Sequence, residues 1–267
     1  MGIAIFIFGL IIGSFLNALI WRLHTEDSVL RGRSYCPNCK HVLSCVELVP
    51  LVSFAVQQGK CRHCGKKISW QYPLVELATG LLFALAYYAM ARHSSGASSD
   101  VFPPGIFTPM DVFLLFRNLF FIAALMVIFV YDLRWQIILD KVTLPAIGVA
   151  YLWNAFLGVS WYTMLVGAGV AGGFFLLQFA VSKGAWIGGG DIRLGALMGV
   201  MLGWQATLVA LMIAYLSGSI VGIALILLRK KRGKDQIPFG TFLSIGTLIA
   251  LLWGPQLVQW YLGVISI

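Results

Sequence analysis

Apolar residues recur in long blocks along this chain, and the blocks are punctuated by short polar breaks. The first block, Ile3 to Ile20, is continuous enough to cross a bilayer, which takes roughly 18–20 residues. It has no basic segment before it and no small-residue cleavage site before Trp21-Arg22, so it reads as a retained transmembrane helix rather than a signal peptide. Continuing the reading predicts about eight spans, near residues 3–21, 73–91, 112–131, 142–157, 162–181, 192–203, 205–228 and 239–261. The sixth covers only about 12 residues, too few for an untilted crossing. Glycine and serine at 92–111, with Pro103, Pro104 and Pro109, read as a linker between the second and third spans.

Composition agrees with this pattern. Hydrophobic residues make up 60% of the 267 positions and charged residues 11%, against about a quarter charged in soluble domains. Too little polar surface remains to coat a soluble fold. The expectation is an all-α polytopic membrane protein. Its parts are a first transmembrane helix (1–21), a small zinc-ribbon-like domain (22–72) and a membrane domain (73–267).

Charge decides between an odd and an even number of crossings. Eight residues of loop 22–72 are basic, and Arg229-Lys230-Lys231-Arg232-Gly233-Lys234 follows the seventh span. Eight spans with both termini outside place these segments in the cytoplasm. All but Arg92 and Arg117 of the 19 basic residues then lie on or near that side, as the positive-inside rule requires. Seven spans would expel one basic cluster. The net charge of +9 is therefore loop bias, and no nucleic-acid motif accompanies it.

Four of the five cysteines form two pairs, Cys36-Pro37-Asn38-Cys39 and Cys61-Arg62-His63-Cys64, separated by 21 residues. In a reducing cytoplasm, paired Cys-x2-Cys knuckles read as a structural zinc site rather than as disulfides. Gly65 supplies a tight turn after the second pair. Four thiolates leave no open coordination position, and metal would provide much of the folding energy of so small a domain. Cys45 stands outside the pairs, and His41 and His63 read as solvated neighbours.

Most ionisable residues fall in loops, but Asp132 ends an apolar run and Asp191 follows Gly188-Gly189-Gly190 at the start of the short sixth span. Ionisable groups bordering a span are expensive and point to function. The eight-span topology brings both to the cytoplasmic side at similar depth. Two carboxylates in one site share a proton, which suits hydrolysis of a peptide bond. The alternatives are plain: Asp191 could cap a helix, Asp132 could pair with Arg134, and Asp140 rivals Asp132. A transporter with an acid relay and a scaffold packed through glycines are competing classes.

Several motifs resemble those of the bacterial type IV prepilin peptidases, which belong to the GxGD class of intramembrane aspartyl proteases. They are Gly9-Leu10-Ile11-Ile12-Gly13-Ser14-Phe15-Leu16-Asn17 with Trp21-Arg22-Leu23, the cysteine loop, and Tyr72-Pro73-Leu74-Val75-Glu76-Leu77. Asp132-Leu133-Arg134 through Leu139-Asp140, Gly188 through Leu194, and Pro238-Phe239-Gly240 extend the likeness along nearly the whole chain. Leu139 departs from the proline usual in that family before the aspartate at 140. The resemblance implies Asp132 and Asp191 as the catalytic acids. It also implies leader removal from prepilins and pseudopilins at the inner membrane, and N-methylation of the new terminus from S-adenosylmethionine. Residues alone do not reach the methyl transfer; Glu47 is the one weak candidate.

Overall fold

A computed structural model describes residues 1–29, 31–96, 108–229 and 237–265. The linker at 97–107 and the basic residues 230–234 lie outside the described residues. The chain divides into two compact units, Met1–Phe107 and Thr108–Ile267.

In the first unit, α1 (Gly2–Thr25) packs on α3 (Gln71–Gly96). The pairing is antiparallel, because Gly9 lies on Gly80 and Gly13 lies on Glu76. Asn17 of α1, buried, donates from Nδ2 to the Tyr72 carbonyl at 3.0 Å. The cysteine loop between the helices contains a 3-10 turn, Val46–Leu48, and the short helix α2 (Val52–Val56). At Leu51 the backbone takes φ 60, ψ −46, and the Val52 N–H closes a three-residue turn on the Pro50 carbonyl at 2.6 Å. That turn is rare and strained for a side-chain-bearing residue. It is held by Glu76, whose Oε2 accepts the Leu51 N–H at 2.8 Å.

The second unit is a helix bundle of α4 (Pro109–Trp135), α5 (Asp140–Phe156), α6 (Trp161–Ser182), α7 (Gly189–Leu227) and α8 (Phe239–Ile265). Thr108 and Asp111 form a reciprocal cap on α4, with Pro109 in the first turn. Helix α7 is broken at Gly203, whose φ 73, ψ 171 is accessible essentially to glycine alone. The break falls between the sixth and seventh spans read from the sequence. Among the described residues, six helices are long and apolar enough to cross a membrane: α1, α3, α4, α6, α7 and α8. Helix α5, at 17 residues, is just too short, and α7 counts once although its 39 residues contain two segments. Counting both segments and α5 restores the eight elements of the sequence pattern.

A broken helix inside a membrane exposes carbonyls that water cannot reach, so protein groups must satisfy them. Asn154 of α5 donates from Nδ2 to the Val200 carbonyl at 2.7 Å. Beyond the break, Thr207 Oγ1 donates to the Gly203 carbonyl at 2.6 Å. Arg117 of α4 donates to Asn154 Oδ1 at 2.9 Å, so three helices converge on the discontinuity.

Close approach sets the rest of the packing. A methyl group at Gly199 would overlap the backbone of Gly167 and Ala168 on α6. Gly199→Ala should therefore separate α6 from α7 and cost about 3 kcal/mol of stability. The midpoint of detergent-induced unfolding measures this; an unchanged midpoint would contradict the contact.

Candidate active site and metal centre

Helix direction gathers the polar residues of the second unit at one end of its bundle. Helix α4 ends there, and α5, α7 and α8 begin there. Asp132 sits in the last turn of α4 and Asp191 in the first turn of α7. They are 4% and 9% exposed, which separates them from ordinary helix-end charges.

Each acid is held by a helix N-terminus. The Oδ2 of Asp132 accepts the Thr241 backbone N–H at 2.7 Å and the Thr241 hydroxyl at 3.0 Å. First-turn amides point outward with the positive end of the helix dipole, and a carboxylate is a natural partner for them. Gly240 permits the approach, since a Cβ there would lie 3.0 Å from the Asp132 carboxyl. Asp191 Oδ2 accepts the Gly188 N–H at 3.2 Å, and the Asp191 N–H returns to the Gly188 carbonyl at 3.1 Å. Asp191 thus does cap α7, but from inside the site. Ile138, between α4 and α5, packs against both Gly190 and Gly240 and ties the two anchorages together. Asp132 and Asp191 therefore stand at the same end of the bundle, on either side of Ile138.

The rival acid has a different setting. Asp140 is about half exposed and pairs with Arg193, which links the first turns of α5 and α7. Arg134 lies over the Trp135 ring. Gln178 and Tyr215, joined at 2.9 Å, add a polar pair between α6 and α7. Sequence reading missed Thr241. Its one signal is the Pro238-Phe239-Gly240 turn immediately before it, which marks a helix start without showing what that start binds.

In the first unit, the four cysteines converge as their spacing predicts. Cys36 and Cys64 sulfurs are 3.9 Å apart, Cys39 and Cys61 sulfurs 4.0 Å, and all four lie within 4.8 Å of one another. A disulfide needs about 2 Å, whereas thiolates at about 2.3 Å from a tetrahedral zinc ion are roughly 3.8 Å apart. The donor set and spacing fit zinc. The two knuckles are built alike: the Cys36 N–H reaches the His41 carbonyl and the Cys61 N–H the Lys66 carbonyl, both at 2.9 Å. Lys40 and Gly65 take similar positive φ values, 58 and 67, in the two turns. The His41 amide is directed at the Cys39 sulfur and the Lys66 amide at the Cys64 sulfur.

A family model described as the bacterial peptidase A24 N-terminal domain matches residues 7–90, and one described as the type IV leader peptidase family matches residues 119–223. A prepilin leader peptidase/N-methyltransferase of Bacillus subtilis (strain 168) is 33% identical over 97% of this chain and 96% of its own length. The chain belongs to the type IV leader peptidase family. Proteins of the same name from Aeromonas salmonicida (strain A449) and Legionella pneumophila are 34% and 28% identical. They align over 98% of this chain and over 94% and 95% of their own lengths. No solved structure matches the chain. Asp132 and Asp191 of this leader peptidase family member fall inside the second matched segment, and all four clustered cysteines fall inside the first.

With cobalt as a spectroscopic stand-in, the cysteine site should show a thiolate-to-metal charge-transfer band. Cys36→Ser should abolish that band. A band of full intensity in the variant would remove Cys36 from the ligand set.

Proposed function

We propose that this chain is a membrane aspartyl endopeptidase that removes the leader of type IV prepilins and pseudopilins, with Asp132 and Asp191 as its catalytic acids. The observation that carries the reading is the pair of buried carboxylates at one bundle end, each anchored through Oδ2 to a helix N-terminus. That anchorage leaves the Oδ1 atoms for water and substrate. The relatives' names supply the substrate class and the second activity, N-methylation of the exposed amino terminus.

Two carboxylates in one desolvated site share a proton. The ionised member takes a proton from water as the oxygen adds to the scissile carbonyl. The protonated member donates to the carbonyl oxygen, and the tetrahedral intermediate collapses with proton transfer to the departing amine. Gly188, Gly189 and Gly190 carry no side chains, so an extended peptide can approach the backbone beside Asp191. The acids stand at helix ends rather than near mid-helix, which supports hydrolysis at one face over a relay reaching both faces.

The parts follow the sequence reading: a transmembrane helix at 1–21, a four-cysteine domain at 22–72 and a peptidase domain at 73–267 in the inner membrane. Basic-residue bias supports a cytoplasmic cysteine loop with both termini outside. Structural zinc on Cys36, Cys39, Cys61 and Cys64 would fix the loop between α1 and α3. S-adenosylmethionine is the methyl donor in this reading, and no residue is assigned to it.

Incubation with a prepilin and methyl-labelled S-adenosylmethionine separates the two activities. The wild type should give both cleavage and label. Asp132→Ala and Asp191→Ala should each lower cleavage by at least 10³-fold, a loss of about 4 kcal/mol in transition-state stabilisation. Asp140→Ala should keep most of it. Full cleavage by the Asp132 variant would transfer the role to Asp140.

A further inference from the structure

Beside the four cysteines lies a second group of metal-ligating side chains: His41, Glu47 and His63 each offer one donor atom, and these atoms lie within 4.8 Å of one another. The carboxylate is already oriented. Glu47 Oε2 accepts the Ser44 N–H and the Ser44 hydroxyl, both at 2.9 Å. Its other oxygen, Oε1, is buried and has no hydrogen-bond partner. A buried carboxylate oxygen without a partner is costly, and a cation is the most direct remedy. The two imidazole rings face each other with centroids 3.4 Å apart.

The knuckles explain why these rings meet. His41 follows the first cysteine pair by two residues, and its carbonyl closes the first knuckle on the Cys36 amide. His63 sits inside the second pair, between Cys61 and Cys64. Whatever draws the four sulfurs together therefore brings the two histidines together on the same framework. Glu47 arrives from the 3-10 turn that follows.

The geometry points to a second cation site on His41, Glu47 and His63, suited to a zinc-class transition-metal dication. Two imidazoles and a carboxylate are borderline donors of the kind such ions prefer, and hard calcium or magnesium would favour an all-oxygen set. Nitrogen and oxygen donors at about 2.0–2.1 Å from a tetrahedral ion are roughly 3.3 Å apart. The donor atoms, within 4.8 Å of one another, would draw in to that spacing on binding, with His63 the exposed member of the set. Three protein ligands leave a fourth position open to water or an exchangeable ligand, unlike the closed set of four thiolates. The site rests on the proposed four-cysteine zinc for its knuckles but not on the peptidase reading.

Metal content tests this directly. Full-length protein, purified in detergent and equilibrated with zinc, should carry two ions per chain by elemental mass spectrometry. His41→Ala and Glu47→Gln should each carry one. One ion in the wild type, or two in the Glu47→Gln protein, overturns the proposal. Cobalt titration of the wild type covers the case in which a variant fails to fold. The first equivalent should bring thiolate charge-transfer absorption. The second should add only weak d–d bands, and a titration that ends after one equivalent also overturns the site. Loss of the thiolate bands on Cys36→Ser reports on the four-cysteine set alone, so the two claims fail separately.

Discussion

A carboxylate with almost no solvent contact, in a chain short of charges, must be hydrogen-bonded by the protein itself. Asp132 meets that requirement with the first turn of α8, through the Thr241 amide and hydroxyl. The contact spans 109 positions of sequence and joins α4 to α8 at the end of the bundle where α5 and α7 also begin. A Cβ on Gly240 would crowd that carboxyl group at 3.0 Å. Ile138 fills the angle between Gly240 and Gly190, so the same anchorage sets where Asp191 lies relative to Asp132. Without the Asp132–α8 contact, Asp132 loses its anchor, while Asp191 keeps its own at Gly188.

The same constraint governs the other end of the second unit. Breaking α7 at Gly203 leaves carbonyls that lipid cannot solvate, and Asn154 and Thr207 accept that duty. Arg117, partly buried, is accommodated by donating to Asn154 and Asn118 and by lying over the Phe121 ring. Polar side chains are few in this chain, and several of those inside the bundle serve the break in α7 or the acid pair, while Ser244 and Thr247 bond to carbonyls of their own helix. In the first unit, Glu76 plays a comparable part by holding the strained Leu51 turn of the cysteine loop.

Much of this was legible in the sequence, for physical reasons. Apolar blocks of bilayer length are local features, so the spans emerged directly, including a division of α7 where Gly203 breaks it. Cysteine spacing is equally local, because a Cys-x2-Cys pair makes one knuckle, and two knuckles need only meet. The two aspartates stood out because charge is rare inside apolar runs. What escaped were contacts between distant segments. Thr241 is an ordinary threonine until α8 returns to α4, and Asn154 has no local signature for the carbonyls it serves. His41 and His63 read as bystanders because nothing in their spacing shows that folding stacks them beside Glu47. The basic cluster that follows α7 enters the topology reading through its charge alone, since residues 230–234 lie outside the described residues.

The central claim is that Asp132 and Asp191 act as one unit, and a double-mutant cycle on catalysis tests it most directly. Single-turnover prepilin cleavage would be measured for Asp132→Asn, Asp191→Asn and the double variant, with incubations long enough to resolve residual rates. Groups that act together are strongly non-additive. The double variant should therefore cleave no more slowly than either single variant. Losses that multiply, or a single variant that keeps near wild-type cleavage, would show that the two acids do not share one catalytic site.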